Sequence, residues 1–192
     1  MIDDHTLEVL EFPRVLALAA RYTASPAGAE WVLALSPAHD LETAVRRLDL
    51  TGELRRLMAS PDGFPVTDVP EASGAISRLE AAGVLLEASE LVNLARLASL
   101  ARRVRERLQG AGPDFPLAGA MGKDLVAAPE FEAAVEKTFS PHGDVLDSAS
   151  PALRQIRSRL REHRNQIVAG LEALARTGSG EERTVTVRGD RY

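Results

Sequence analysis

Arg154, Arg157, Arg161 and Arg164 follow one another at spacings of 3, 4 and 3. On an α-helix that pattern sets four guanidinium groups in one stripe. Arg159 flanks the other side of an adjoining apolar seam, and Glu162 is the only acid between residues 151 and 171. A guanidinium fork suits phosphate and carboxylate alike. Two chemistries are therefore open: contact with a nucleic-acid backbone, or a solvated face whose arginines pair with acids of a neighbouring helix. Spacing alone favours the second, because no aromatic side chain accompanies the stripe to stack on bases.

Other chemistry is sparse. The absence of cysteine excludes disulfides, thiolate zinc sites and cysteine nucleophiles. The four histidines, at 5, 39, 142 and 163, are far apart and lack metal-ligand spacing. His163 falls on the apolar seam and reads as a hydrogen-bonded packing residue, and His142 belongs to the turn Ser140-Pro141-His142-Gly143-Asp144. Gly122-Lys123 lacks the earlier glycine and the following hydroxyl residue of a phosphate-binding loop. The adjacent pairs Asp3-Asp4 and Glu181-Glu182 diverge on any regular element and read as solvated surface. No catalytic, metal-binding or cofactor-binding set is expected within these residues.

Composition agrees with a helical globular protein. Of the 192 residues, 45% are hydrophobic, 27% charged and 4% aromatic. The net charge of −5 hides an asymmetry: residues 151–192 carry nine arginines against five acids, a net of +4, and residues 1–150 a net of −9. An acidic partner is thus expected at the C-terminal quarter. The basic residues are 21 Arg and only two Lys, a chain-wide bias that reads as genome composition. No apolar run approaches 18 residues, and no signal-peptide core follows the acidic start, so a cytoplasmic location and no membrane partner are expected.

The elements follow from periodicity and capping. Leu7, Leu10, Val15, Leu18 and Tyr22 recur at helical spacing, with a break or kink expected at Pro13. Ser25-Pro26 starts a helix carrying Trp31, Val32 and Leu35, and Ser36-Pro37 ends it. Asp40 caps the next, whose expected inner face holds Leu41, Ala44, Val45, Leu48, Leu54, Leu57 and Met58. The cluster from Ser60 to Pro65 turns the chain. Helical pattern resumes at Ala75, Ile76, Leu79 and Ala82, and stops near Gly83. From Glu87 to Leu108, the residues Leu91, Leu94, Ala95, Ala98, Ala101, Val104 and Leu108 form one stripe opposite Arg96, Arg103 and Arg107. Gly110-Ala111-Gly112-Pro113 closes that helix. A short helix is expected around Pro129–Phe139.

The strongest local signal is the last long helix. Ser150 is its N-cap, Pro151 its first residue and Gly178 its expected stop. Leu153, Ile156, Leu160, His163, Ile167, Gly170 and Leu174 are spaced as a coiled-coil seam, interrupted by His163 and Gly170. Such a helix runs about 40 Å. Arg183 to Arg188 alternates like a strand, and a lone strand needs a partner, so the sequence reads as a piece cut just inside a β-rich module. The expected fold is all-α, a helical core plus a long lever-like helix, with a short β segment at the C-terminal end. Its divisions are 1–112, 113–150, 151–178 and 181–192.

The string from Asp147 to Arg157 (DSASPALRQIR), the long helix after it and the ending Thr186-Val187-Arg188-Gly189-Asp190-Arg191-Tyr192 resemble the N-terminal part of the bacterial MutS-two family. Leu10-Glu11-Phe12-Pro13-Arg14-Val15-Leu16 and Leu35-Ser36-Pro37 resemble the family's start. The likeness covers essentially the whole chain, and Gly189 stands where other members often carry Asn. It implies that 1–112 is core, 113–150 a connecting segment, 151–178 a lever, and 181–192 the first strand of a clamp. Full-length members are similar to other MutS proteins in having an ATPase domain, using ATP and Mg, that dimerises. They carry an Smr nuclease domain and are associated with suppressing recombination and with stalled ribosomes. None of their catalytic residues maps onto this chain. DNA, ribosomal RNA, the ribosome and a second protomer are the implied partners. Arg154, Arg157, Arg161, Arg164, Arg188 and Arg191 are the implied nucleic-acid contacts. The alternative is a helical module for self-association or partner binding, with no nucleic-acid contact.

Overall fold

The computed structural model describes residues 3–66, 68–79 and 83–177. The strand and turn expected over 181–192, with Arg188 and Arg191, lie outside the described residues, as does the expected stop at Gly178. The described residues form α1 (Asp4–Val9), α2 (Phe12–Ala20), α3 (Pro26–Leu33), α4 (Leu41–Met58), α5 (Ser73–Leu79), α6 (Ala88–Gln109), α7 (Pro116–Lys123), α8 (Pro129–Thr138) and α9 (Pro151–Thr177), with a 3-10 turn at Asp147–Ala149. Extended pairing among them is limited to one antiparallel bridge between Phe139 and Val145. The mainly helical expectation holds. Contacts group the chain into two compact units: residues up to Glu136 with Pro141–Gly143, and Lys137–Ser140 with Asp144 onward.

Capping sets the early boundaries. Asp3 accepts a hydrogen bond from the Thr6 amide at 2.8 Å and opens α1. The break expected at Pro13 falls instead at Leu10 and Glu11, where Glu11 takes a left-handed φ of +52°. Pro13 sits in the first turn of α2, where a missing N–H breaks no intrahelical bond. Ser25 Oγ accepts from the Gly28 amide at 3.0 Å and Pro26 begins α3, as its sequence predicts. That helix ends at Leu33, before rather than at Ser36-Pro37. Asp40 caps α4 through the Thr43 amide at 2.7 Å.

The inner face of α4 matches the expected one at Leu54 and Leu57 and differs elsewhere. Leu57 is buried there together with Glu53, whereas Leu41, Val45, Leu48 and Met58 are exposed. The physical reason is α7, a short helix that sequence periodicity does not reveal. Its first turn places the Ala118 amide 2.8 Å from Glu53 Oε2, so a buried carboxylate of α4 caps a helix 65 residues away. Around that bond Leu57, Leu108 and Ala118 form a core, packed by Leu50, Leu54, Phe64, Val104 and Phe115. Apolar periodicity allows two stripes on α4, and α7 covers the one nearer Glu53.

α6 is central to this unit and buries Val92, Ala95, Leu100 and Leu108, of which Val92 and Leu100 lie off the predicted stripe. Arg96 and Arg103 are exposed as expected. Arg107 is not: its guanidinium turns inward to donate to Gly63 O at 3.1 Å and Ser60 Oγ at 2.6 Å, strapping the turn after α4. Arg78 of α5 pairs with Glu90 at 2.8 Å, and Arg102 pairs with buried Glu132 of α8 at 3.0 Å. The Arg102 hydrogen bonds hold the Glu132 carboxyl below its usual range.

Two glycines of α7 are predicted to respond oppositely to alanine. A Cβ at Gly122 meets Leu108 Cβ at 2.9 Å, a contact no side-chain rotation relieves. At Gly119 the nearest atom is Leu108 O at 3.7 Å, an ordinary distance. Gly122→Ala should destabilise by about 1–3 kcal/mol through overpacking. Gly119→Ala should stabilise by up to about 1 kcal/mol through helix propensity. Thermal denaturation of both variants checks the pair, and equal shifts would contradict the packing described.

Candidate nucleic-acid interface

The arginine stripe is built on α9, and α9 is built on the segment before it. The Phe139–Val145 bridge is reinforced by Ser140 N donating to Asp144 O and Leu146 N donating to Thr138 O, both at 2.8 Å. Ser148 Oγ donates to Lys137 O at 2.7 Å. This turn delivers Asp147 to the base of the helix. Ser150 Oγ then accepts from the Leu153 amide at 3.1 Å, and Pro151 opens α9, as the sequence predicts.

Asp147 meets two arginines one turn apart. Arg157 donates to Asp147 Oδ1 at 2.8 Å and also to Val145 O at 2.7 Å, and Arg161 donates to Asp147 Oδ2 at 3.1 Å. Each carboxylate oxygen thus takes one guanidinium. Arg157 first, and Arg161 after it, hold the Asp147 carboxyl below the ordinary range. Arg154 and Arg164 are exposed and form no ion pair among the described residues. The stripe is therefore divided. Its two middle arginines pair with an acid that lies in the turn before the helix rather than on a neighbouring one, and its two outer ones stand in solvent.

The seam beside the stripe is exposed as well. Ile156, Leu160 and Ile167 are 63%, 67% and 51% accessible. His163 Nδ1 lies 3.3 Å from Gln166 Oε1, so it is hydrogen-bonded as expected but exposed rather than packed. His142 lies in the expected turn, beside Gly143 at φ +88°. Among the described residues no cluster of His, Cys, Asp or Glu has metal-binding geometry, and no helix is long and apolar enough to cross a membrane. Asp147 is the residue that sequence reasoning missed. Its partners lie 10 and 14 positions on, across a 3-10 turn, where helical spacing gives no signal.

No family model matches the chain. Curated proteins do. Endonuclease MutS2 of Pelotomaculum thermopropionicum is 31% identical over 200 residues, covering 100% of this chain and 25% of that protein. The MutS2 of Gemmatimonas aurantiaca is 37% identical over 172 residues, covering 88% of this chain and 21% of that protein. The chain is MutS2-like. It spans about a quarter of the length of the MutS2 relatives it matches. The putative endonuclease MutS2 of Bacillus subtilis, at 28% identity, aligns over 97% of this MutS2-like chain.

The Asp147 clasp has a defined pH dependence. A carboxyl whose folded-state pKa is depressed stabilises the fold above its unfolded value and loses that contribution as pH falls through the folded value. At pH 7 the parent should therefore be more stable than Asp147→Asn, and the gap should close on acidification. Denaturant unfolding of both proteins from pH 7 to pH 2 measures it, and a gap independent of pH would contradict the clasp.

Proposed function

We propose that this chain supplies the core and lever of a MutS2-like DNA-binding ATPase and endonuclease, relaying motion between a clamp and the ATPase. Arg154, Arg157, Arg161 and Arg164, with Arg188 and Arg191 beyond the described residues, contact nucleic-acid phosphates in this reading. The observation that carries it is the rooted helix. α9 runs for 27 residues from a base held by Asp147, and its outer arginines remain in solvent. A stiff element fixed at one end and cationic along one side can position a backbone and transmit its displacement. The MutS2 likeness along the chain supports the context. In that context ATP and Mg are used by a domain outside these residues, and the protein works as a homodimer. DNA and ribosomal RNA are its partners, in suppression of recombination and ribosome rescue. The divisions 1–112, 113–150, 151–178 and 181–192 as core, connector, lever and clamp strand belong to the same proposal.

Binding to a short DNA duplex tests it. Four phosphate contacts by the stripe give a log–log salt slope of about −3.6, at roughly −0.9 per contact. Arg154→Ala/Arg164→Ala should flatten the slope by about two units. It should leave the helix intact, since alanine is the better helix former. Arg157→Ala/Arg161→Ala should flatten the slope similarly and also lower thermal stability by releasing Asp147. An unchanged slope in the first variant removes the nucleic-acid reading.

A further inference from the structure

We infer that the seam of α9 receives an amphipathic helix with acidic flanks, and not a second copy of α9. Taking Leu153, Leu160, Ile167 and Leu174 as a positions places Ile156, His163 and Gly170 at d. The flanking e positions are then Arg157, Arg164 and Leu171, and the flanking g positions are Ala152, Arg159, Gln166 and Ala173. Neither flank carries an acid. Glu162 and Glu172 fall at c and f, away from the seam.

That arrangement opposes self-pairing. In a parallel pair each g residue faces the e residue five positions later on its partner. Arg159 would face Arg164 of the second copy, twice per dimer. In an antiparallel pair e faces e and g faces g, and every charged residue available is again arginine. Like charges held opposite one another at a seam destabilise it, whereas glutamates there would be attracted.

Asp147 shows the matching chemistry at one end. Its carboxylate already satisfies Arg157 of the e flank, with Arg161 of the adjoining row. One heptad further on, Arg164, and across the seam Arg159, are exposed and form no ion pair among the described residues. The apolar lane between them, Ile156, Leu160 and Ile167, is exposed throughout. A Cβ at Gly170 would find nothing within 4 Å, so the seam there offers a notch for a large partner side chain. The occupant is thus an apolar-seamed helix carrying Glu or Asp beside that seam. Arg154 and Arg161 occupy the b row, outside the seam, but Arg164 is shared with the nucleic-acid reading, so an acidic helix and a phosphate would compete for it.

Two labelled four-heptad peptides, identical except for Glu or Lys at every e and g position, test this against the full 192-residue chain. The Glu peptide should bind about tenfold more tightly, since Arg159 and Arg164 each meet an opposite charge on one peptide and a like charge on the other. Its binding should weaken with added salt. Arg159→Glu/Arg164→Glu should reverse the preference while helix content by circular dichroism stays the same. In sedimentation the chain alone should remain monomeric at concentrations that bind the Glu peptide. Equal binding of both peptides, no binding of either, or a chain dimer that excludes the Glu peptide would overturn the inference.

Discussion

A helix leaves its first amide protons without intrahelical partners, and this chain meets that requirement with side-chain oxygens at most of its described helix starts. Asp3, Ser25, Asp40 and Ser150 each accept a hydrogen bond from the first turn of the helix that follows. Glu53 does the same for α7 from a different helix, and its buried carboxylate brings α4 and α7 together. The described residues bury few large apolar side chains, with only Leu57 and Leu108 fully enclosed among them. With so small a core, cap positions rather than packing decide where elements begin. Packing then decides which face turns inward.

The second unit repeats the logic with charge. Ser150 starts α9, and Asp147, three residues earlier, grips it at Arg157 and Arg161. A 27-residue helix with no base would tilt about its first turn. Two guanidinium contacts spread over a turn resist that tilt in a way that a single cap cannot. These contacts remain partly exposed, so each is modest. They act together on one carboxylate whose position is set by the Phe139–Val145 bridge.

Local chemistry was legible in the sequence, and long-range pairing was not. Ser25-Pro26, Asp40 and Ser150-Pro151 gave three helix starts, because a cap and its amide lie within three residues. The α9 seam was legible because its period runs for three heptads, and the MutS2 likeness was legible in the string around Asp147. The covered face of α4 was legible only in part: Leu54 and Leu57 meet the core, but Leu41, Val45 and Leu48, as apolar and as regularly spaced, do not. α7 itself, PLAGAMGK, is small and glycine-rich, and Gly122 is there for its close approach to Leu108, which no local pattern announces. Spacing left the arginine stripe between phosphate contact and a solvated, acid-paired face, and did not divide it. Its acid was not named, because Asp147 reaches its partners across a turn.

Hydrogen exchange read by mass spectrometry tests the rooted helix most directly. Asp147→Ala should deprotect residues 151–161 of α9 while 165–177 and the helices of the first unit keep their parent rates. Unchanged protection across 151–161, or a loss spread evenly over the chain, would contradict the account.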